Sequence, residues 1–169
     1  MSQGDRTEHA AGIAIESRPD DPGAYQFWAE EKLRNMDTDQ FGHVNNAAIA
    51  SFCESGRMSL FAGADLAEAM APYSVVVVRL LIEFHAELFF PGSVRIGTTV
   101  TGIGNTSIQV TQSVFRDGQR VASSMATCVL IDRSSNAPAP VPAHIRERLQ
   151  SVRPSLPASQ PNPGASNAD

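Results

Sequence analysis

The stretch Asp37-Thr38-Asp39-Gln40-Phe41-Gly42-His43-Val44-Asn45-Asn46 decides how the rest of the chain is read. Upstream, Tyr25, Phe27, Ala29 and Leu33 predict a strand over Ala24 to Asn35. Downstream, Ala48, Ile49, Phe52, Cys53, Gly56 and Leu60 recur at steps of three and four, which predicts a helix over Ala47 to Gly63. The stretch therefore places a carboxylate a short loop ahead of a helix N-terminus. Asn45 or Asn46 can cap that helix, because a side-chain oxygen there accepts from an N–H of the first turn. The remaining free N–H groups and the positive end of the helix dipole point back at the loop. Gly42, lacking Cβ, lets the backbone turn or approach a ligand closely.

The predicted helix is rich in small residues, namely Ala47, Ala48, Ala50, Ser51, Ser55, Gly56 and Ser59. Small residues permit close approach on more than one side, so the helix is expected to be enclosed. Glu54 and Arg57 stand three apart and are expected to pair. Ala64 to Ala71 reads as a second short helical or irregular piece ended by Pro72. The β-branched run Val75 to Phe84 predicts a central strand covered on both sides. Phe89-Phe90-Pro91-Gly92 reads as a turn. Alternation follows at Val94 to Thr101 and at Ile108 to Val114. Asp117-Gly118 is a strong hairpin signal. Val121, Ser123, Met125, Thr127, Val129 and Ile131 then share one face of a last strand. Three consecutive strands with tight turns make an antiparallel meander. The order is strand, helix, four antiparallel strands, which is an α+β domain with its sheet wrapped around one long helix. A single curved sheet leaves an edge, and pairing two copies edge to edge would protect it.

One such domain is expected over residues 24–152, closing with a short helix from Ala143 to Val152. Residues 1–23 read as a flexible polar lead and 153–169 as a disordered tail of Pro, Ser, Asn and Ala. The chain has 169 residues, 42% hydrophobic and 18% charged, enough for one core of ordinary size. Its formal net charge of -5 argues against nucleic acid as a partner, which needs a basic face. A phosphorylated small molecule needs only a few local arginines and remains open. Cys53 and Cys128 lie inside apolar segments and read as buried thiols, and no metal-ligand spacing is present. The N-terminus lacks an apolar core for a signal peptide, and Val75 to Leu81 is too short to span a bilayer, so a cytoplasmic protein without a membrane partner is expected.

A carboxylate facing a helix N-terminus suits an electron-poor carbonyl. The helix end polarises the oxygen, while the carboxylate attacks the carbon or activates a water that does. The pattern Asp-x-Asp-x-x-Gly-His-Val-Asn-Asn opening a helix that carries Glu54-x-x-Arg57 resembles the acyl-CoA thioesterases of the 4-hydroxybenzoyl-CoA thioesterase type. Pro91-Gly92-Ser93-Val94 and Val129-Leu130-Ile131-Asp132 are similar to that family too. The resemblance covers about Phe27 to Leu149. It implies the hot dog fold, a helix sheathed by an antiparallel sheet, in a homodimer or homotetramer with active sites at the subunit interface. It also implies hydrolysis of an acyl- or aryl-CoA thioester, without metal or bound cofactor.

Carried over onto this sequence, the family's active-site carboxylate falls on Asp39. The catalytic set is then Asp39, His43 and Asn46. Gly42, Val44, Asn45, Ala47 and Ala48 are the substrate-binding set, with N–H groups near Asn46 to Ala48 on the thioester oxygen. The helix departs from the family at Ala47, Ala48, Ile49, Ala50 and Phe52, so the acyl group does not carry over. Candidates for the coenzyme A phosphates are Arg57, Arg79, Arg95, Arg116 and Arg120. His85 and His144 belong to no constellation. Two rivals are a non-catalytic acyl-CoA-binding protein and a hydratase or dehydratase on the same fold, the latter using His43.

Overall fold

In a computed structural model, residues 22–25, 27–63 and 66–151 are described; the expectations for the polar lead up to residue 21 and for the tail from 153 lie outside them. Helix α1 runs from Asn46 to Ala62, one residue earlier at each end than its apolar spacing predicts. Asn45 sets its start, since Asn45 Oδ1 accepts from Ala47 N at 2.8 Å. The buried stripe is Ile49, Phe52, Cys53, Gly56, Arg57, Leu60 and Phe61: Arg57 and Phe61 join the predicted one, and Ala48 is only half-buried.

The sheet comprises β1 (Phe27–Lys32), β2 (Tyr73–Phe84), β3 (Ser93–Ile103), β4 (Ser107–Arg116), β5 (Gln119–Asp132) and a short β6 (Ala137–Pro138). Its order is β1-β3-β4-β5-β2 with β6 on β5, and every pairing is antiparallel. The β3-β4-β5 meander is as expected. Two assignments are corrected. The first strand is shorter than Ala24 to Asn35, because Pro22–Ala24 and Asn35–Asp37 each form a turn of 3-10 helix. Strand β2 is not central: among the described residues it pairs only with β5, from Tyr73↔Asp132 to Phe84↔Ala122. A continuous β-branched run looks the same in sequence whether a neighbouring strand or another surface is to cover it. Here Val76, Val77, Val78 and Leu80 are exposed.

Helix α1 lies against one side of the sheet, the hot dog arrangement. Near its start, Ile49, Phe52 and Cys53 pack with Val94, Ile96, Val114 and Ala122. Near its end, Leu60 and Phe61 pack with Val100, Ile108, Val110, Ala126, Cys128 and Leu130. Along β5 the fully buried residues are Ala122, Ser123, Ser124, Ala126, Cys128 and Leu130, so from Ser124 onward burial alternates with the Val121-to-Ile131 face. Helices α2 (Leu66–Met70) and α3 (Ala143–Ser151) close that end with Leu66, Met70, Ile145 and Leu149. The approach of α1 depends on Gly56: a Cβ there would meet Gln112 Nε2 at 2.5 Å and Ile96 Cγ2 at 2.7 Å.

The expectation that α1 is enclosed is corrected as well. Its far side, marked by Ala47, Ser51, Glu54, Met58 and Ala62, is exposed. Nor do Glu54 and Arg57 pair. Position 57 is in phase with Cys53 and Leu60 on the buried stripe. Arg57 therefore turns inward, 4% exposed, and its Nη1 donates to Gln112 Oε1 at 3.1 Å, while Glu54 faces solvent.

Candidate active site

Two nested turns build the site. In the first, Arg34 grips Asp37: its backbone N donates to Asp37 Oδ2 at 2.7 Å, and its guanidinium bridges both carboxylate oxygens. Asp37 is buried, and its carbonyl accepts from Asn45 N at 2.8 Å, which fixes where α1 begins. The guanidinium beside it holds the Asp37 carboxyl below its usual value. Asp132 is held down to about 2, chiefly by the Ser134 hydroxyl and then by N–H donors of the turn after β5. Both groups release protons more readily folded than unfolded. They therefore add stability above the ordinary carboxylate range, and it is withdrawn as pH falls through their folded values. Urea midpoints are expected to drop between about pH 5 and about 2. Asp37→Asn lowers the neutral midpoint and flattens that drop; an unchanged pH profile would show that the clamp adds nothing.

The second turn holds Asp39. Its N–H donates to His43 O at 2.8 Å, and its Oδ1 accepts from Phe41 N at 2.8 Å and His43 N at 3.1 Å. Oδ2 has no hydrogen bond among the described residues. Gly42 stands at φ 84°, a left-handed conformation that a side chain resists, so its role is the turn. Bridges Thr38↔Val44 and His43↔Phe89, with Val44 N donating to Leu88 O at 2.7 Å, pin this loop to the connection after β2. The His43 ring meets Phe89 edge-on at 5.0 Å, and its Nε2 lies 3.8 Å from Glu87 Oε1.

Beside the loop lies a cleft of about 440 Å³. Asp39, His43, Val44 and Asn46 line it from one side, Ile49 from α1, and residues 84–88 from the end of β2. Of the sequence-derived site residues, Asp39, His43, Val44 and Asn46 are brought together. Gly42, Asn45, Ala47 and Ala48 are not on the lining. Val44 is buried and also belongs to the core. The backbone donors are fewer than expected. Ala47 N–H is taken by Asn45 Oδ1 and Ala48 N–H by Asn45 O at 2.9 Å, which leaves Asn46 N–H uncommitted among the described residues.

Sequence reasoning missed residues 84–88, including His85, which lines the cleft and whose Nε2 lies 2.5 Å from Ser123 Oγ. Nothing near His85 in the sequence ties it to Asp39; the sheet topology does. None of the five candidate arginines lines the cleft in one chain. Arg57 is buried, Arg95 stacks on Trp28 at 4.4 Å, and Arg116 donates to the carbonyls of Phe89 and Pro91. No helix among the described residues is long and apolar enough to cross a membrane.

A family model described as the thioesterase-like superfamily matches residues 33–149, spanning the Asp39 turn and the whole sheet beyond β1. The chain belongs to that superfamily. It is 30% identical over 122 residues to a chloroplastic acyl-acyl carrier protein thioesterase of Arabidopsis thaliana, covering 69% of this chain and 64% of that protein. The chain thus spans less than two thirds of that relative's length. Among solved structures, a thioesterase from Thermus thermophilus complexed with coenzyme A and Zn is 27% identical, with TM-score 0.67 over 76% of this chain and 95% of its own. A Pseudomonas aeruginosa protein is 26% identical, with TM-score 0.67 over 79% and 95%. Scores at that level, over most of each chain, show a shared fold.

Proposed function

We propose that this thioesterase-like chain hydrolyses acyl-CoA thioesters to the free acid and coenzyme A, in a homodimer joined through β2, or a tetramer of such dimers. The observation that carries the reading is Asp39. One of its oxygens is fixed by two loop N–H groups, the other is unclaimed, and it shares a cleft with Asn46 at the N-terminus of α1. The Asn46 N–H and the helix dipole would stabilise the developing oxyanion, and Asp39 would activate water or attack the carbonyl carbon. His43 would steady Asp39 through its backbone and present its ring to the substrate. Coenzyme A as carrier is supported by the Thermus neighbour. The Arabidopsis relative supports a protein carrier as a second reading. The test is thiol release across butyryl-, decanoyl- and benzoyl-CoA and the same acyl groups on a carrier protein. Absence of release from all of them would leave a binding protein.

The edge of β2 supports the dimer. Val78 is 60% exposed, the strand's only charged side chains are Arg79 and Glu83, and its outer backbone faces no other strand among the described residues. Such an edge aggregates unless it is paired. Val78→Lys is expected to shift the sedimenting species from dimer to monomer and to lower turnover with it. A parent chain that sediments as a monomer at micromolar concentration would sink the dimer.

A further inference from the structure

The guanidinium of Arg116, at the end of β4, is enclosed by the turn that leads into β3. Its Nη1 donates to Phe89 O, its Nη2 donates to Pro91 O at 2.8 Å, and its Nε lies 3.5 Å from Asp117 Oδ2. Gly92, at φ 146°, keeps that seat open: a Cβ there would come within 2.9 Å of Arg116 Nη2 and 3.1 Å of its Cζ. The far end of the same turn is tied down by Leu33 N, which donates to Gly92 O at 2.9 Å. Resting on the hydrolysis proposed above, we infer that Arg116 is a positioning residue: through Phe89 it sets the orientation of His43 and of the unclaimed Asp39 oxygen.

The connection is short. Phe89 bridges His43 main chain to main chain, and the two rings meet edge-on at 5.0 Å. His43 N in turn donates to Asp39 Oδ1 at 3.1 Å, so a shift of His43 turns the carboxylate. Arg116 is not on the cleft lining and acts only through this path. Two carbonyl oxygens that converge on one point repel each other. A planar fork of donors joins them as a point charge such as lysine does not. All three guanidinium nitrogens face protein oxygens, which leaves this arginine poorly placed to hold a coenzyme A phosphate. Without the fork, Val44 N still donates to Leu88 O, so the loop stays in place and only its fine geometry changes. A misplacement of about 1 Å at a reacting group costs about 10²-fold in rate, so a smaller one passed on through Phe89 is expected to cost about 10-fold.

Arg116→Met removes the fork and keeps most of the stem. Its kcat is expected to fall about 10-fold, with KM within about twofold of the parent's. The same split is expected for decanoyl-CoA and for the decanoyl thioester of N-acetylcysteamine, which has no phosphate. A raised KM for decanoyl-CoA alone, with kcat kept, would make Arg116 a phosphate ligand and overturn the inference. So would a kcat unchanged within about twofold. In the Asp39→Asn background the substitution is expected to cost less than about twofold, because the group it positions is already gone; a second loss of about 10-fold there would show Arg116 acting elsewhere. Gly92→Ala reaches the same defect from the other side, since it keeps the arginine and pushes the guanidinium out of the turn. A readout independent of turnover is the proton resonance of the His43 Cε1–H, assigned by its absence in His43→Gln. The Phe89 ring current acts on it, so it is expected to move in folded Arg116→Met and in folded Gly92→Ala. A resonance that stays in place in either variant would overturn the inference. If the parent releases no thiol from any substrate, the hydrolysis reading fails separately, and the His43 resonance alone then decides whether Arg116 holds that ring.

Discussion

Asp39→Asn is expected to lower kcat/KM for the proposed acyl-CoA hydrolysis by about 10²-fold or more, the scale for loss of a general base or nucleophile. Asparagine is the informative replacement because Asp39 holds the loop besides the catalytic role proposed for it. Its Oδ1 accepts from Phe41 N and His43 N and so holds the loop against Val44 and the connection after β2. An amide oxygen can accept the same two bonds, so Asp39→Asn keeps the loop and removes only the charge and nucleophilicity of the unclaimed oxygen. Asp39→Ala also unties the turn and is expected to lower stability by about 1 kcal/mol, as lost caps of this kind do. Comparing the two separates chemistry from scaffolding. A thermal midpoint near the parent's for Asp39→Asn, with thiol release lost, is the expected pair of results. Thiol release equal to the parent's would mean that Asp39 is only a turn former, which its hydrogen bonds alone would already justify.

The sequence made legible what depends on local pattern. The apolar stripe of α1, its cap at Asn45, the meander from β3 to β5 and the Asp39 loop at the helix mouth all follow from spacings of a few residues. What it hid depends on which side of an element faces what. The run Val75 to Phe84 is equally apolar in the interior of a sheet or at an edge, and it is the pairing with β5 alone among the described residues that makes it an edge there. Residues 84–88 reach Asp39 because Val44 and His43 bridge to Leu88 and Phe89, a contact between segments some forty positions apart. The oxyanion donors were over-counted for a local reason: the cap that starts the helix uses the N–H of Ala47, and Ala48 bonds back to the same residue. A Glu-x-x-Arg spacing on a helix suggests a surface pair, but phase with Cys53 and Leu60 sends Arg57 inside.

That inward arginine makes Gln112→Leu the most destabilising substitution expected here, at about 3–5 kcal/mol, the range for leaving one buried charged group without its partner. Gln112 is fully buried on β4 and uses its whole amide. Its oxygen accepts from Arg57 Nη1 at 3.1 Å and from Ser124 Oγ at 3.3 Å; its nitrogen donates to Cys53 O at 2.8 Å and Thr98 Oγ1 at 3.1 Å. Leucine nearly matches the volume and offers none of these bonds. Arg57 already has a buried Nε with no hydrogen-bond partner among the described residues, so loss of the Gln112 oxygen strands a cation in the core. If that charge dominates, Arg57→Met in the same chain recovers most of the loss, because an apolar pair of similar volume carries no desolvation penalty. Cys53 O and Thr98 Oγ1 each lose the Gln112 amide as a donor in the double variant, so recovery stops short of the parent. Urea titration of the parent, both single variants and the double variant closes this cycle. A coupling energy near zero would mean that Arg57 and Gln112 act independently, and the polar centre between α1 and the sheet would then be four separate bonds instead of one charged unit.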